Sequence, residues 1–403
     1  MMNDMAKDGD MKGASDKRLV PELRFPEFKK DWGKNVLRAI IKTITPPKKL
    51  QTTEYHKKGL YPIIDQSQSF ICGFSDDESA LLNKEKEDVV IFGDHTCILK
   101  LVNFTFIQGA DGIKIFKSSN PSIVRTDYIY QFLSAYPISI KEYKRYYFEL
   151  KEIIVCYSCN IIEQEKIVEC LSSIDEEINA IKEKVEQLKG HKKGLMQKLF
   201  PIAENFVPEL RFPEFKKANE WDFINGCNLF ASIVDKNHNS ELPILAITQA
   251  KGAVPRELID YKVIVSDNSI KNYKIVEKGD FIISLRSFQG GIEYSNYRGL
   301  CSPAYIVLRK KIDAACNNFY RYYFKSANYI LDLNRNIEGI RDGKMISYLQ
   351  FSNIKHPFPS PAEQQKIAEC LSSIDELISL YENKVILMEQ HKKGLMQRLF
   401  PKL

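Results

Sequence analysis

The chain has 403 residues, 44% of them hydrophobic and 11% aromatic, and 58 lysines and arginines against 52 acidic residues leave a formal charge of +6. That length accommodates two or three domains with real cores, and so mild a basic balance permits a nucleic-acid partner without requiring one. No apolar run reaches the length of a bilayer-spanning helix.

Residues 1–19 are polar and small, without the hydrophobic stretch of a signal peptide or anchor, and read as a disordered tail of a cytoplasmic protein. Val20 to Lys30 then reads VPELRFPEFKK, with Trp32 close behind. The following stretch, to residue 160, alternates β-branched and aromatic runs with turn signals. Asp88 to Thr96 predicts a strand ending in a Gly-Asp turn, and Phe104 to Phe116 predicts strand, glycine-rich turn, strand. Lys144 to Phe148 mixes basic and aromatic residues. Cys156 and Cys159 are two of nine cysteines and stand in an apolar run with no second pair at zinc-ribbon spacing, so they read as reduced thiols in or near a core strand.

From Ile167, apolar residues recur at alternating steps of four and three: Leu171, Ile174, Ile178, Ile181, Val185, Leu188, then Leu195 and Leu199, with Lys192 interrupting. That is the seam of a coiled coil, narrower than an ordinary amphipathic stripe. Asn160 is the expected cap and Pro201 the stop.

Val207 to Lys217 repeats VPELRFPEFKK without a change, and Trp221 follows. The second insert has the style of the first in other letters. Leu242 to Gln249 predicts a strand, and Lys278 to Arg286 predicts turn, strand and exposed arginine. Ser287 to Gly291 reads as a glycine-rich loop, Arg321 to Phe324 as a basic-aromatic cluster and Arg341 to Lys344 as a basic turn. Ser360-Pro361-Ala362-Glu363 then opens a second long helix with a serine cap, a proline in the first turn and a glutamate reaching back. Its seam, Ile367 to Leu399, carries Lys392 at the place of Lys192.

Glu163–Pro201 and Glu363–Pro401 share 25 of 39 residues at a constant offset of 200. The inserts between them show little mutual resemblance. A duplicated frame with diverged inserts implies one mechanical task done twice and one recognition task done on two targets. The expected organisation is a tail over 1–19, a first recognition domain over 20–160, a helix over 161–201, a second domain over 202–360 and a helix over 361–403. The fold class is α+β: two globular mixed α/β domains, each followed by a long helix, the two helices packing as an antiparallel coiled coil. Self-association through the seams is the alternative. Lys192 and Lys392 either set the register of the seam or lie outside the buried contact. The second reading is preferred, with His191, Lys192, Lys193, Gln197 and their copies His391, Lys392, Lys393, Gln397 forming a docking surface for a partner protein.

The insert loops carry residue types that read duplex DNA, since arginine pairs with guanine, glutamine with adenine, and lysine holds phosphate. In the first insert the candidates are Gln66 and Gln68, then Asp94, His95, Thr96 and Lys100, then Gln108, Lys114, Lys144 and Arg145. In the second they are Gln249 and Lys251, then Arg286, Ser287 and Gln289, then Arg341 and Lys344. Searches for catalytic patterns fail. There is no Asn/Asp-Pro-Pro-aromatic motif, no glycine-rich cofactor loop and no His-Glu-x-x-His, and Gly339 to Lys344 is one residue short of a phosphate loop. His95 beside Asp94 reads as structural or surface.

Jointly, the PELRFPEF segments, the Phe-Gly-Asp-His-Thr strand end, the Pro-Phe-Pro-Ser-Pro-Ala-Glu-Gln-Gln-Lys-Ile helix start at 357–367 and the Lys-Gly-Leu-Met-Gln tails resemble the specificity subunits of Type I restriction–modification systems. The resemblance implies two target-recognition domains, each reading half of a split DNA site, with the helix pair as a spacer ruler. It implies duplex DNA, two modification (methyltransferase) subunits and restriction/translocase subunits as partners, and no membrane. This chain would be non-catalytic and hold no cofactor or metal. S-adenosylmethionine, ATP and magnesium would act on the partner subunits. A coiled-coil protein adaptor is the alternative, and an autonomous DNA enzyme a third reading without a catalytic set behind it.

Overall fold

The computed structural model describes residues 19–201, 207–259, 270–335 and 346–401. Of the expected tail only Leu19 falls among them. The chain divides into two compact units, Met1–Ile181 with Lys384–Leu403 and Lys182–Asn383. The division cuts both long helices, which run Ile161–Leu199 and Pro361–Leu399. Each unit therefore holds one globular insert, the first half of one long helix and the second half of the other.

This partition follows from the seam. In the first unit Ile167, Leu171, Ile178 and Ile181 are buried with Val385 and Leu399; in the second Ile367, Leu371 and Ile378 are buried with Val185 and Leu199. Within each unit the two helix halves run antiparallel: Asp175 meets Lys392 while Glu177 meets Lys384, and Asp375 meets Lys192 while Glu382 meets Lys189. Leu171 and Leu371, both fully buried, also belong to the aromatic cores of their units, so the helices are cemented to the inserts by the hydrophobic effect. Gly190, Gly194 and Gly394 lie inside continuous helix, where an added Cβ would meet nothing within 4 Å.

In the first unit β1 (Trp32–Val36) pairs antiparallel with β10 (Ile154–Ser158) and brings the two ends of the insert together at the helix start. One sheet has the order β2-β9-β6-β7, from Ile41–Ile44, Ile113–Ser118, Val89–Gly93 and Leu99–Val102. A second has the order β4-β3-β8-β5, from Gly73–Ser75, Tyr61–Ile64, Phe106–Gln108 and Leu81–Leu82, with β3 and β8 parallel. The central strand β6 is buried along its whole length, as its unbroken apolar run requires. Tyr128 to Phe132 lies in the helix Thr126–Ala135.

The second unit repeats the first two features. β11 (Asp222–Asn225) pairs with β20 (Lys355–Phe358), and a sheet of order β12-β19-β16-β17 is built from Phe230–Ile233, Ile306–Lys310, Phe281–Ile283 and Glu293–Tyr294. In place of the second four-stranded sheet, the described residues form two short antiparallel pairs, β13 (Leu245–Thr248) with β14 (Gly252–Pro255) and β15 (Lys274–Val276) with β18 (Gly299–Cys301). The expected glycine-rich loop at Ser287 is a single helical turn, Ser287–Gly290. All nine cysteines are free thiols. Cys156 is buried in β10, where burial pushes its pKa up to about 11, and Cys159 is exposed.

The identical lead-in segments have identical tasks. The Arg24 guanidinium forms a two-pronged ion pair with Glu163 at 2.7 and 2.8 Å, and Arg211 does the same with Glu363 at 2.7 and 2.8 Å. Both glutamates are about 1% exposed or less, and the fork geometry supplies the parallel hydrogen bonds such a burial needs. The neighbouring glutamines fasten the inserts. Gln164 accepts from the Arg125 amide and donates to the carbonyls of Ile123 and Ser158; Gln364 accepts from the Cys316 amide and donates to Pro359. The Ser360 hydroxyl caps as expected, accepting from the Glu363 amide. The Glu363 carboxylate does not reach back to the cap, because Arg211 holds both its oxygens.

Candidate nucleic-acid interface

β6 and β16 occupy the same place in their sheets, next to β9 and β19 and ahead of β7 and β17. The turn after each emerges beside the turn after a strand of the neighbouring layer, β3 in the first unit and β13 in the second. A glutamine opens each of those second turns: Gln66 after Ile64-Asp65, and Gln249 after Thr248. A glycine lets it approach. A Cβ on Gly93 would lie 2.9 Å from the Gln66 Cβ, and one on Gly290 would lie 2.7 Å from the Gln249 carboxamide carbon. The contacts are fixed by hydrogen bonds. The Thr96 hydroxyl donates to the Gln66 carbonyl at 2.9 Å, and Gln249 Nε2 donates to the Arg286 carbonyl at 3.4 Å. Two turns far apart in sequence thus form one edge in each unit, at topologically equivalent places and with different side chains.

In the first unit that edge continues through Gly112 to His95, whose ring stacks on Tyr143 at 4.8 Å with an interplanar angle of 9°. Tyr143 is 88% exposed. His95 Nδ1 is held 3.0 Å from the Lys144 carbonyl. Gln68 and Arg145 are exposed, while Gln66 and Lys114 are half-buried, the latter over the Tyr147 ring. In the second unit Gln249, Lys251, Arg286 and Gln289 are all exposed around the paired turns. A cleft of about 770 Å³ opens beside them, bounded by Lys251, Arg321 and the helix residues Lys193 and Lys189, the last paired with Glu382. Its Arg321 guanidinium lies over the rings of Tyr294 and Tyr322. Basic groups interleaved with aromatic faces and exposed amides can hold phosphates and present hydrogen-bonding edges to bases.

Several sequence candidates are used inside the fold instead. Asp94 is 3% exposed and its carboxylate accepts from the Tyr147 amide, starting the helical turn Tyr147–Lys151. Gln108, 1% exposed, and Ser287, 1% exposed, are likewise interior; the Ser287 hydroxyl accepts from the Ser284 amide. Lys100 is 4% exposed, and its ammonium donates to the carbonyls of Asp65 at 2.8 Å and Ser69 at 2.6 Å. None of these four presents a free group to DNA. Lys144 lies between Glu149 at 2.8 Å and Glu142 at 3.2 Å, which raise its pKa and neutralise its charge locally. Arg341 and Lys344 lie outside the described residues.

The preferred placement of Lys192 and Lys392 outside the helix contact is also corrected. Lys192 Nζ lies 2.6 Å from Asp375 Oδ1, and Lys392 Nζ lies 2.5 Å from Asp175 Oδ2, so both lysines bridge the helix halves. Each aspartate belongs to the repeated Leu-Ser-Ser-Ile-Asp sequence of the opposite helix, which explains why the interruption occurs at the same place in both copies. His191, Lys193, Gln197 and their counterparts His391, Lys393, Gln397 remain exposed.

Sequence reasoning missed Lys325 and Glu293. Glu293 is 1% exposed, and Lys325 Nζ lies 2.5 Å from its Oε1 while also donating to the carbonyls of Gly290 at 2.8 Å and Gln249 at 3.3 Å. Burial pushes the Glu293 pKa up and the Lys325 pKa down, each against the pull of the other. No sequence signal marks this pair, since its two members are 32 residues apart and neither belongs to a motif. Among the described residues no group of three or more His, Cys, Asp or Glu is placed to hold a metal ion, and no helix is long and apolar enough to cross a membrane.

A duplicated frame thus fastens two unlike sets of polar turns through equivalent arginine, glutamate and glutamine contacts. Residues 223–389 match the family model described as the Type I restriction modification DNA specificity domain. Over 250 residues the chain is 26% identical to the protein of Methanocaldococcus jannaschii named as the type I restriction enzyme MjaX specificity subunit, covering 59% of this chain and 56% of that one. It is 26% identical over 266 residues to the MjaVIII specificity subunit of the same organism, covering 59% of each. The chain thus spans less than two thirds of the length of these relatives. The Type-I restriction-modification system S subunit from M. genitalium matches with a TM-score of 0.60 at 16% identity, covering 96% of this chain and 100% of that one. At that identity the likeness is one of fold. The resemblance read from the repeats is therefore borne out: the chain shares the fold of that S subunit, and residues 223–389 match the model of the DNA specificity domain.

Proposed function

We propose that the chain is the non-catalytic specificity subunit of a Type I restriction–modification enzyme, binding a split duplex DNA site with one unit per half-site. The observation that carries this reading is the pair of equivalent turn edges, Gln66 with residues 93–96 and Gln249 with residues 286–290, held on one repeated frame yet bearing different side chains. A protein adaptor would need the helices alone; it gives no reason for two diverged polar edges on identical fastenings. The long helices serve as the spacer between the domains. The exposed His191, Lys193, Gln197 face and its copy take two modification subunits, through which restriction/translocase subunits join. S-adenosylmethionine, ATP and magnesium act on those partners, and the complex works in the cytoplasm.

Adenine methylation is mapped across the genome of a host carrying the partner genes, with and without this gene. The expected result is one split motif methylated only in its presence. No change, with the partners active alongside another specificity subunit, would return the adaptor reading. Binding to the cognate duplex is expected to weaken steeply with salt, since each neutralised phosphate releases counterions.

A further inference from the structure

Lys100 and Lys325 come from unrelated places in their units, one on β7 and the other just after the helix Asn317–Tyr323. Their ammonium groups nevertheless do the same thing. Lys100 donates to the carbonyls of Asp65 and Ser69, which bracket the turn Gln66-Ser67-Gln68. Lys325 donates to the carbonyls of Gln249 and Gly290 and so ties the glutamine turn to the turn after β16. Lys100 is 4% exposed, and the Lys325 side chain is 25% exposed. A largely buried ammonium is costly unless its donors are satisfied. In both units two of the acceptors satisfying it are carbonyls of the edge that faces solvent, joined in the second unit by the Glu293 carboxylate at 2.5 Å. Each turn also needs tight backbone at the clamp. Gly291 has φ +80°, and a Cβ there would lie 2.0 Å from the Phe324 carbonyl oxygen. Exposed Gln68 and Gln249 stand on turns whose backbone is thereby fixed, and direct readout of an adenine by a carboxamide requires that fixity.

We propose that Lys100 and Lys325 are the positioning residues of two separate DNA readouts, each interior ammonium locking the glutamine-bearing turn of its own unit and so governing discrimination at one half-site only. Neither lysine touches DNA. The inference rests on the reading of the chain as a specificity subunit.

The test uses the full chain assembled with its modification subunits and a duplex carrying the motif found by methylation mapping. Competitor duplexes are altered in one half-site at a time, and the ratio of cognate to altered affinity is measured for each half. The variants are Lys100→Met, and Lys325→Met combined with Glu293→Gln so that no carboxylate is left buried alone. Should either fail to fold, Lys100→Gln, or Lys325→Gln again combined with Glu293→Gln, carries the same comparison. Each variant is expected to lose about tenfold in discrimination at one half-site, the two variants affecting opposite halves, while discrimination at the other half is kept. A merely structural role would lower the folded fraction and leave both ratios unmoved, and that result overturns the inference. Equal loss at both halves overturns it as well. If the unaltered chain itself fails to discriminate, the specificity reading falls and the inference with it, an outcome distinct from variants that discriminate as well as the unaltered chain.

Discussion

Cys156 and His356 stand at corresponding places in the two units, each buried in the strand that leads into a long helix. In the first unit the place holds a small thiol. In the second it holds an imidazole packed among Phe351, Phe324, Tyr323 and Tyr329. Burial pushes the His356 pKa down to about 3. A few residues away, Glu163 and Glu363 make the same ion pair with the same geometry. The contrast shows where the duplication is constrained. Positions that fasten insert to helix have kept their identities, because an arginine fork and a glutamine with two or three backbone partners admit few substitutes. Positions that only fill space have drifted, because many side chains fill a core if their volumes suit.

The comparison can be tested from its strongest contact to its weakest. Arg24→Ala and Arg211→Ala each leave a buried glutamate without its partner, and each is expected to cost about 3–5 kcal/mol in urea unfolding. The two losses should agree closely if the frame is the same in both units. A large difference would break the equivalence. Leu171→Ala and Leu371→Ala, both at fully buried sites where helix meets insert, should cost about 3 kcal/mol each by the same measurement.

The next prediction concerns a place where the units should differ. An unfolded histidine titrates near 6.5, and folded His356 near 3. Between those values the unfolded state binds a proton that the folded state refuses. The stability contribution is therefore complete above about pH 6.5 and is lost as pH falls toward 3, at about 1.4 kcal/mol per pH unit within that window. His356→Cys, which installs the residue of the first unit, should abolish this slope. Unchanged acid sensitivity would place its origin elsewhere.

The smallest effect belongs to the helix lysines. Lys192–Asp375 and Lys392–Asp175 are partly exposed, so each pair should contribute no more than about 1 kcal/mol in a double-mutant cycle. Charge reversal at one partner should destabilise, and reversal at both should restore. Absence of coupling in either pair would show that the seam lysines do not set the register.

Much of this frame is legible in the sequence. A four-three alternation can bury its apolar residues only along a helical seam, and a verbatim repeat of lead-in and helix implies two equivalent units. What could not be read was the partner of each polar group. Glu363 looked like a capping glutamate because its neighbours suggested one; the Arg211 that holds it is 152 residues away. Lys192 and Lys392 looked like tail residues because the aspartates that meet them lie on the opposite helix. Lys100 looked like a phosphate contact because lysines are usually exposed.

The sequence by itself determined the duplication, the coiled-coil helices, the α+β class and the family resemblance, because periodicity, identity and motif order are properties of the chain alone. Only the tertiary structure decided which polar side chains face outward and which hold the turns in place. That choice depends on burial and on contacts between distant segments, and a lysine has the same local pattern whether its ammonium meets solvent or two carbonyls in the interior.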